Sequence, residues 1–221
     1  MSLVPPGVVL IGDQAVQQVP VSECGEPLVD LGERDLIVID DRLDDGTGNH
    51  RFVREGLAER LVRAARALPE GLRLAVVEGF RSRELQRRYF EEYYAELLEA
   101  NRGADPERTR LLASRYVAPP DGFPPHCCGA AVDLTLVGAD GAEVDMGSAV
   151  NASPEESAGR CFFDAETIGR EARRMRSVLR SVLVAVGLVN YPTEWWHWSW
   201  GDQYWGLMTG AGEARYGVID R

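Results

Sequence analysis

Two of the three histidines in this 221-residue chain sit in short segments whose side chains suit a catalytic metal. His126 lies in Pro124-Pro125-His126-Cys127-Cys128-Gly129-Ala130-Ala131-Val132-Asp133, and His197 closes Glu194-Trp195-Trp196-His197. These segments offer two imidazoles and a carboxylate, with Glu194 left over. Three protein ligands, one position open to water and a carboxylate to take the water's proton make up the inventory of a zinc hydrolase.

Each segment alone has a plainer reading. A histidine with an aspartate further along the chain is common, and in a fully extended strand His126 and Asp133 would point to opposite faces. A bend at Gly129 removes that objection, because the imidazole then comes from the loop before the strand and the carboxylate from within it. Trp195 to Trp200, taken alone, reads as core with His197 a hydrogen-bonded core histidine. Cys127 and Cys128 read either as small packing residues or as thiols engaging metal or substrate; packing is favoured, since buried cysteine usually behaves as a small hydrophobe.

The elements that must position these groups follow from periodicity. Leu36-Ile37-Val38-Ile39 reads as a short strand, and the aspartate-rich Asp40 to Gly46 as a solvated loop whose spacing does not fit an EF-hand. From Glu55 to Leu68, apolar residues recur at three and four, giving an amphipathic helix that Pro69-Glu70-Gly71 stops. Leu72 to Val77 is a buried strand delivering Glu78-Gly79-Phe80-Arg81. Glu84 to Ala100 is a long acidic helix, and a third helix starts after Asp105-Pro106 and runs to about Val117. Ala130 to Val137 is a strand, with Ala139-Asp140-Gly141 as a turn to Glu143-Val144-Asp145 in a hairpin. Residues 147 to 162 read as loop. Asp164 is expected to cap a helix ending at Gly187, with Ile168, Ala172, Met175, Val178, Leu179, Val182 and Leu183 as its buried stripe. Leu188-Val189-Asn190 and Trp195 to Trp200 supply the last strands. Helices interleaved with short, partly hairpin-linked strands give an α+β class, and the chain shows no repeat, linker or domain boundary, so residues 1–221 read as one domain.

Composition narrows the chemistry. A formal net charge of −11 disfavours nucleic acid and anionic membrane surfaces as partners. All 24 basic residues are arginine, so Schiff-base chemistry and a phosphate-loop lysine are excluded. No Gly-x-Ser-x-Gly elbow or Gly-x-Gly-x-x-Gly loop occurs. The segment from Met1 to Gly12 is apolar but lacks a basic start and a cleavage pattern, and Cys24, Cys127, Cys128 and Cys161 show no Cys-x-x-Cys spacing. A cytoplasmic location with reduced thiols is expected.

Glu78-Gly79-Phe80-Arg81-Ser82, His126-x-x-Gly-x-Ala-x-Asp133-Leu134-Thr135-Leu136, Met146-Gly147 and Glu194-Trp195-Trp196-His197, in this order, resemble the zinc D,D-peptidases, in particular D-alanyl-D-alanine dipeptidases of the VanX type. The similarity covers roughly residues 55 to 205. It implies a compact α+β domain of the hedgehog and D,D-peptidase kind, with a central antiparallel sheet flanked by helices. It implies one zinc held by His126, Asp133 and His197, with Glu194 as the general base that activates water and protonates the leaving amine. Arg81 takes the place of the family's active-site arginine and would stabilise the oxyanion; without the other motifs it would read as a surface ion pair.

Two positions depart from the family pattern. Pro124 and Pro125 stand where small hydroxyl residues commonly help hold the substrate's carboxylate. Asn151 matches the aspartate that pairs with the substrate's ammonium, with Glu155 or Glu156 as substitutes. The expected activity is therefore hydrolysis of a short peptide, foremost a D,D-dipeptide such as D-alanyl-D-alanine. The rival in the same chemistry is a D,D- or L,D-carboxypeptidase on cell-wall peptides, since Gly79-Phe80-Arg81-Ser82-x-x-x-Gln86 also resembles that branch. The rival from another class is a non-catalytic binding module with structural zinc.

Overall fold

A computed structural model describes residues 7–114 and 116–219, so the part of the N-terminal reading that falls on residues 1–6, and Arg115 near the end of the third helix, lie outside the described residues. In chain order the elements are α1 (Gln14–Gln17), β1 (Leu28–Asp30), β2 (Ile37–Ile39), β3 (Phe52–Arg54), α2 (Glu55–Arg66), β4 (Leu72–Glu78), α3 (Arg83–Ala100), α4 (Pro106–Ala113), β5 (Ala131–Gly138), α5 (Arg170–Ala185), β6 (Val189–Asn190), β7 (His197–Ser199) and α6 (Gln203–Thr209). Strands and helices mix as the sequence predicts, in an α+β arrangement. The central sheet has the order β2-β4-β5-β7-β6. Its pairs are antiparallel except at one edge, where β2 runs parallel to β4. A separate two-stranded ribbon joins β1 to β3.

The two faces of the sheet have different tasks. Leu74 and Val76 of β4, Val132, Leu134 and Leu136 of β5 and Trp198 of β7 share one face and join the main core with Leu57, Leu61 and Ala64 of α2 and Met175, Leu179 and Leu183 of α5. That face follows from alternation in strands and a three-four repeat in helices. The opposite face carries the polar residues of β4, β5 and β7 and looks across a cavity toward α3.

Several boundaries differ from expectation. Ser82 rather than a later residue starts α3, its hydroxyl accepting from Leu85 N at 3.2 Å. Asp105 caps α4 from Glu107 N, but this helix ends at Ala113, short of Val117. Past the Asp140 turn only a single bridge, Val137 to Glu143, forms in place of the expected hairpin strand. Asp164 does not cap α5: the cap is Gly169, without a side-chain bond, while Asp164 pairs with Arg180 at 2.9 Å. Ile168, expected in the buried stripe of this helix, is buried but lies just ahead of its cap.

The predicted stripe on α5 is buried or half-buried, and it contains an unforeseen arginine. Arg176, 1 % exposed, donates to Met146 O at 2.8 Å, Phe162 O at 2.6 Å, Phe163 O at 3.1 Å and Arg160 O at 2.7 Å. One guanidinium thus satisfies the carbonyls of a long segment without regular structure, residues 146–163, and ties it to the helix. Arg176→Met keeps the length but removes every donor. It should lower unfolding free energy by about 3 kcal/mol in urea titration, and a loss below about 0.5 kcal/mol would show that water replaces the guanidinium freely.

Candidate metal centre

Three strands bring the polar residues into one row. In the register, Glu78 of β4 lies opposite Asp133 of β5, and Asp133 lies opposite His197 of β7. Directly paired residues share a face, so all three point to the cavity side. His126 reaches the same point from outside the sheet. It sits in a 3-10 turn, His126–Cys128, that ends at Gly129 with φ of 63°. A Cβ at Gly129 would come within 2.5 Å of Leu28 Cδ2, so this left-handed bend suits glycine both by conformation and by space. The bend expected at Gly129 is therefore present.

His126, Asp133 and His197 are all nearly inaccessible, at 5 %, 2 % and 4 % exposure. His126 Nε2 lies 3.2 Å from His197 Nδ1 and 3.4 Å from Asp133 Oδ1, and His197 Nδ1 lies 3.0 Å from Asp133 Oδ1. For a tetrahedral zinc with ligand bonds near 2.0–2.1 Å, neighbouring ligand atoms stand about 3.3 Å apart. The spacing already fits that shell. Among the described residues this is the one His/Cys/Asp/Glu group able to hold a metal ion. The aspartates of the Asp40 to Gly46 loop instead bond to their own backbone and flank His50, as a solvated loop would.

Formal charge points the same way. Glu78, Asp133 and Glu194 are buried carboxylates, faced by the single guanidinium of Arg81. The imbalance of two negative charges is costly in a dry site and is removed by one divalent cation. Without it, burial, then the Asp133 charge, push the Glu194 carboxyl well above its usual range, with Arg81 opposing. Burial also works against the Asp133 carboxylate, but His126 and His197 outweigh it and hold Asp133 far below the usual range. Burial depresses His197, while at His126 the Asp133 charge overcomes burial and raises the ring.

The ring orientations are set from outside. His126 Nδ1 lies 2.7 Å from Gly79 O, so its N–H donates there and leaves Nε2 free as a ligand. Gly79 N donates in turn to His50 O at 2.5 Å, and Phe80 N to Phe52 O at 2.6 Å. This close approach has no room for a side chain: a Cβ on Gly79 would meet Phe52 O at 2.4 Å. On the other side, Asn190 Nδ2 donates to Glu194 O at 3.0 Å and His197 O at 2.9 Å, closing the turn that carries Glu194 and His197. Gly79 and Asn190 were not read as site residues; a glycine carbonyl and a lone asparagine carry no spacing signal.

Glu194 Oε2 stands 3.8 Å from His197 Nδ1, adjacent to the ligand cluster without being one of its three groups. Arg81 is not at the surface. It is 9 % exposed and makes a two-point pair with Glu78, Nε to Oε1 at 2.7 Å and Nη2 to Oε2. The Glu78 charge raises its pKa against the effect of burial, so the guanidinium stays charged. Asn151 is exposed and sits at φ of 62°, a left-handed conformation that asparagine and aspartate tolerate. Arg81, Asn151, Glu155, Glu156 and Glu194 line one cavity of about 600 Å³ with the three ligand residues. Pro125 forms part of the same wall and offers no donor there. Cys127 and Cys128 are buried outside it; burial pushes the Cys127 thiol up to about 12 and Cys128 well above its usual value, so neither is poised as a thiolate.

Residues 46–210 match the family Peptidase_M15, described as D-ala-D-ala dipeptidase. A D-alanyl-D-alanine dipeptidase of Synechocystis sp. is 26 % identical over 214 residues, covering 85 % of this chain and 87 % of that protein. One of Enterococcus faecium is 30 % identical over 153 residues, covering 66 % of this chain and 72 % of its own. A solved structure of VanYB in complex with D-alanine-D-alanine superposes with a TM-score of 0.44 at 20 % identity, over 74 % of this chain and 80 % of that one.

The geometry predicts one divalent metal per chain, with His126→Ala losing it. Gly79→Ala, which displaces the carbonyl that orients His126, should weaken zinc about 10- to 100-fold in competition with a chromophoric chelator. Unchanged affinity in that variant would mean the Gly79 contact does not set the ligand.

Proposed function

The chain belongs to the D-ala-D-ala dipeptidase family, and from that premise we propose that it is a zinc metallopeptidase that hydrolyses a short D,D-peptide, foremost D-alanyl-D-alanine, at the His126–Asp133–His197 centre. The observation that carries this is the convergence of three ligand atoms at tetrahedral spacing beside a buried carboxylate and a buried guanidinium. When bound there, zinc supplies Lewis-acid polarisation of the scissile carbonyl and makes water a usable nucleophile at neutral pH.

The protein's own groups do the rest. His126, Asp133 and His197 would hold the ion at the cavity wall that they line. Glu194, buried beside the three ligand groups, takes a proton from the attacking water and returns it to the leaving amine. Arg81 donates to the carbonyl oxygen as that oxygen gains negative charge, and its delocalised planar cation keeps its orientation when desolvated. Trp196, on the cavity wall, helps keep the surroundings dry, which strengthens each of these contacts. Asn151 receives the amino end of the substrate, with a weaker grip than a carboxylate gives an ammonium.

Residues 1–221 as one domain, with a cytoplasmic location, complete this reading. Four unpaired cysteines suit a reducing compartment. Among the described residues no helix is long and apolar enough to cross a membrane.

Glu194→Gln should keep zinc and lose turnover of D-alanyl-D-alanine by roughly 100-fold or more; loss of the metal in that variant would instead make Glu194 a ligand. Arg81→Lys should be severely impaired, because an ammonium does not reproduce a planar donor pair. Asn151→Asp fits the left-handed backbone and should improve use of the free dipeptide by on the order of 1–3 kcal/mol in kcat/KM. No improvement would move the ammonium site to Glu155 or Glu156.

A further inference from the structure

The register between β4 and β5 breaks near its end. Leu74 pairs with Leu136, Ala75 with Thr135 and Val76 with Leu134, but then Glu78 pairs with Asp133, so Val77 is an extra residue in the strand. Without this bulge Glu78 would lie opposite Val132, on the face that Leu74, Val76, Val132 and Leu134 give to the core. The bulge transfers one carboxylate from the apolar face to the face of the metal centre.

There Glu78, 1 % exposed, holds Arg81 by two parallel contacts. A second residue fixes the far side of the guanidinium: Arg81 Nη1 donates to Gln86 Oε1 at 2.9 Å, while Gln86 Nε2 donates to Ala118 O at 2.8 Å. Gln86 is itself 1 % exposed, and its amide is anchored to backbone rather than left to turn. Arg81 has five N–H groups, of which Glu78 and Gln86 engage three, leaving two for the cavity that Arg81 lines. The pair also neutralises the guanidinium, so what remains for the substrate is direction more than net charge.

We propose that Glu78 and Gln86 are positioning residues that fix the plane of Arg81, so that its two remaining N–H groups meet the oxyanion rather than the resting carbonyl. This rests on the reading of Arg81 as the oxyanion donor. A misoriented guanidinium still binds a ground-state peptide, but loses the contact made only in the transition state. Glu78→Gln turns one of the two contacts into N–H facing N–H, and Gln86→Met removes the second anchor at similar volume.

The test uses zinc-loaded enzyme and a cycle of four proteins: wild type, Glu78→Gln, Arg81→Ala and the double variant. In Glu78→Gln, kcat should fall about tenfold or more with KM changed less than about threefold and zinc content kept. Affinity for a tetrahedral phosphinate dipeptide analogue should fall in the same proportion as kcat. In the Arg81→Ala background the same substitution should cost less than about twofold, since its effect passes through Arg81. Equal losses in both backgrounds, or loss of zinc, would overturn the inference. If Glu78→Gln does not fold, Gln86→Met gives the same comparison: a loss of about threefold or more that disappears beside Arg81→Ala supports the inference, and one that persists overturns it. A wild-type zinc protein that cleaves no D,D-dipeptide would fail at an earlier step, the enzymatic reading itself, and so is distinguishable.

Discussion

Burial of like charge in a single cross-strand row is the constraint around which this molecule is arranged. Glu78, Asp133 and His197 stand side by side on β4, β5 and β7, with Glu194 close by. Two adjacent carboxylates on neighbouring strands repel, and removing them from water adds to the cost. The site is tolerable only because each charge has a specific answer. Arg81 answers Glu78, the two imidazoles answer Asp133, and the remaining imbalance calls for a divalent ion. The same arrangement therefore creates affinity for a metal and couples that affinity to the stability of the sheet.

Neighbouring elements make sense as supports for this row. The β1–β3 ribbon ends in Arg54, which is 4 % exposed and donates through Nε to Cys128 O at 2.9 Å, while its backbone N–H donates to Gly129 O at 2.8 Å. It thus holds the turn that presents His126. Phe52 and His50, just before it, accept from Phe80 and Gly79 and so fix the carbonyl that orients the His126 ring. Of the elements before β3, His50 reaches the centre through its own carbonyl, and β1 supports it as the partner strand of β3.

Legibility followed the range of the interactions. The helices α2, α3 and α5 and strand β4 were readable because their apolar period is local and repeated, and the ligand motifs because histidine is scarce in this chain. The short run Leu36–Ile39 was readable as strand β2, but its parallel pairing with β4 and the ribbon β1–β3 were not, since pairings of three-residue strands are defined by partners far along the chain. Asp164 carried a good capping side chain, yet it pairs with Arg180 and α5 starts only after Gly169. Arg176 falls outside the apolar residues that mark the buried stripe of α5; its acceptors are carbonyls of a loop that no periodicity describes. The role of Glu78 was hidden for a related reason, since a single extra residue in β4 changes the face to which its side chain points.

On the proposed reading, reaction type and substrate choice are written in different parts of the chain. Asp133 and His197 lie on paired strands, His126 on a turn clamped at both ends, and Arg81 in a buried network, all places where small displacements are resisted. Asn151, Glu155 and Glu156 lie in the irregular segment that is tied to the fold by the carbonyl contacts of Arg176, by Trp195 and by Tyr116, whose hydroxyl donates to Ala152 O at 2.8 Å. Such a segment accepts substitution without disturbing the sheet. An asparagine at a left-handed position can become an aspartate, or the reverse, at little backbone cost, whereas any change in the row must be answered by a second change of charge. In the proposed mechanism the chemistry is thus held fixed by mutual compensation, and specificity is left to the loop that faces it.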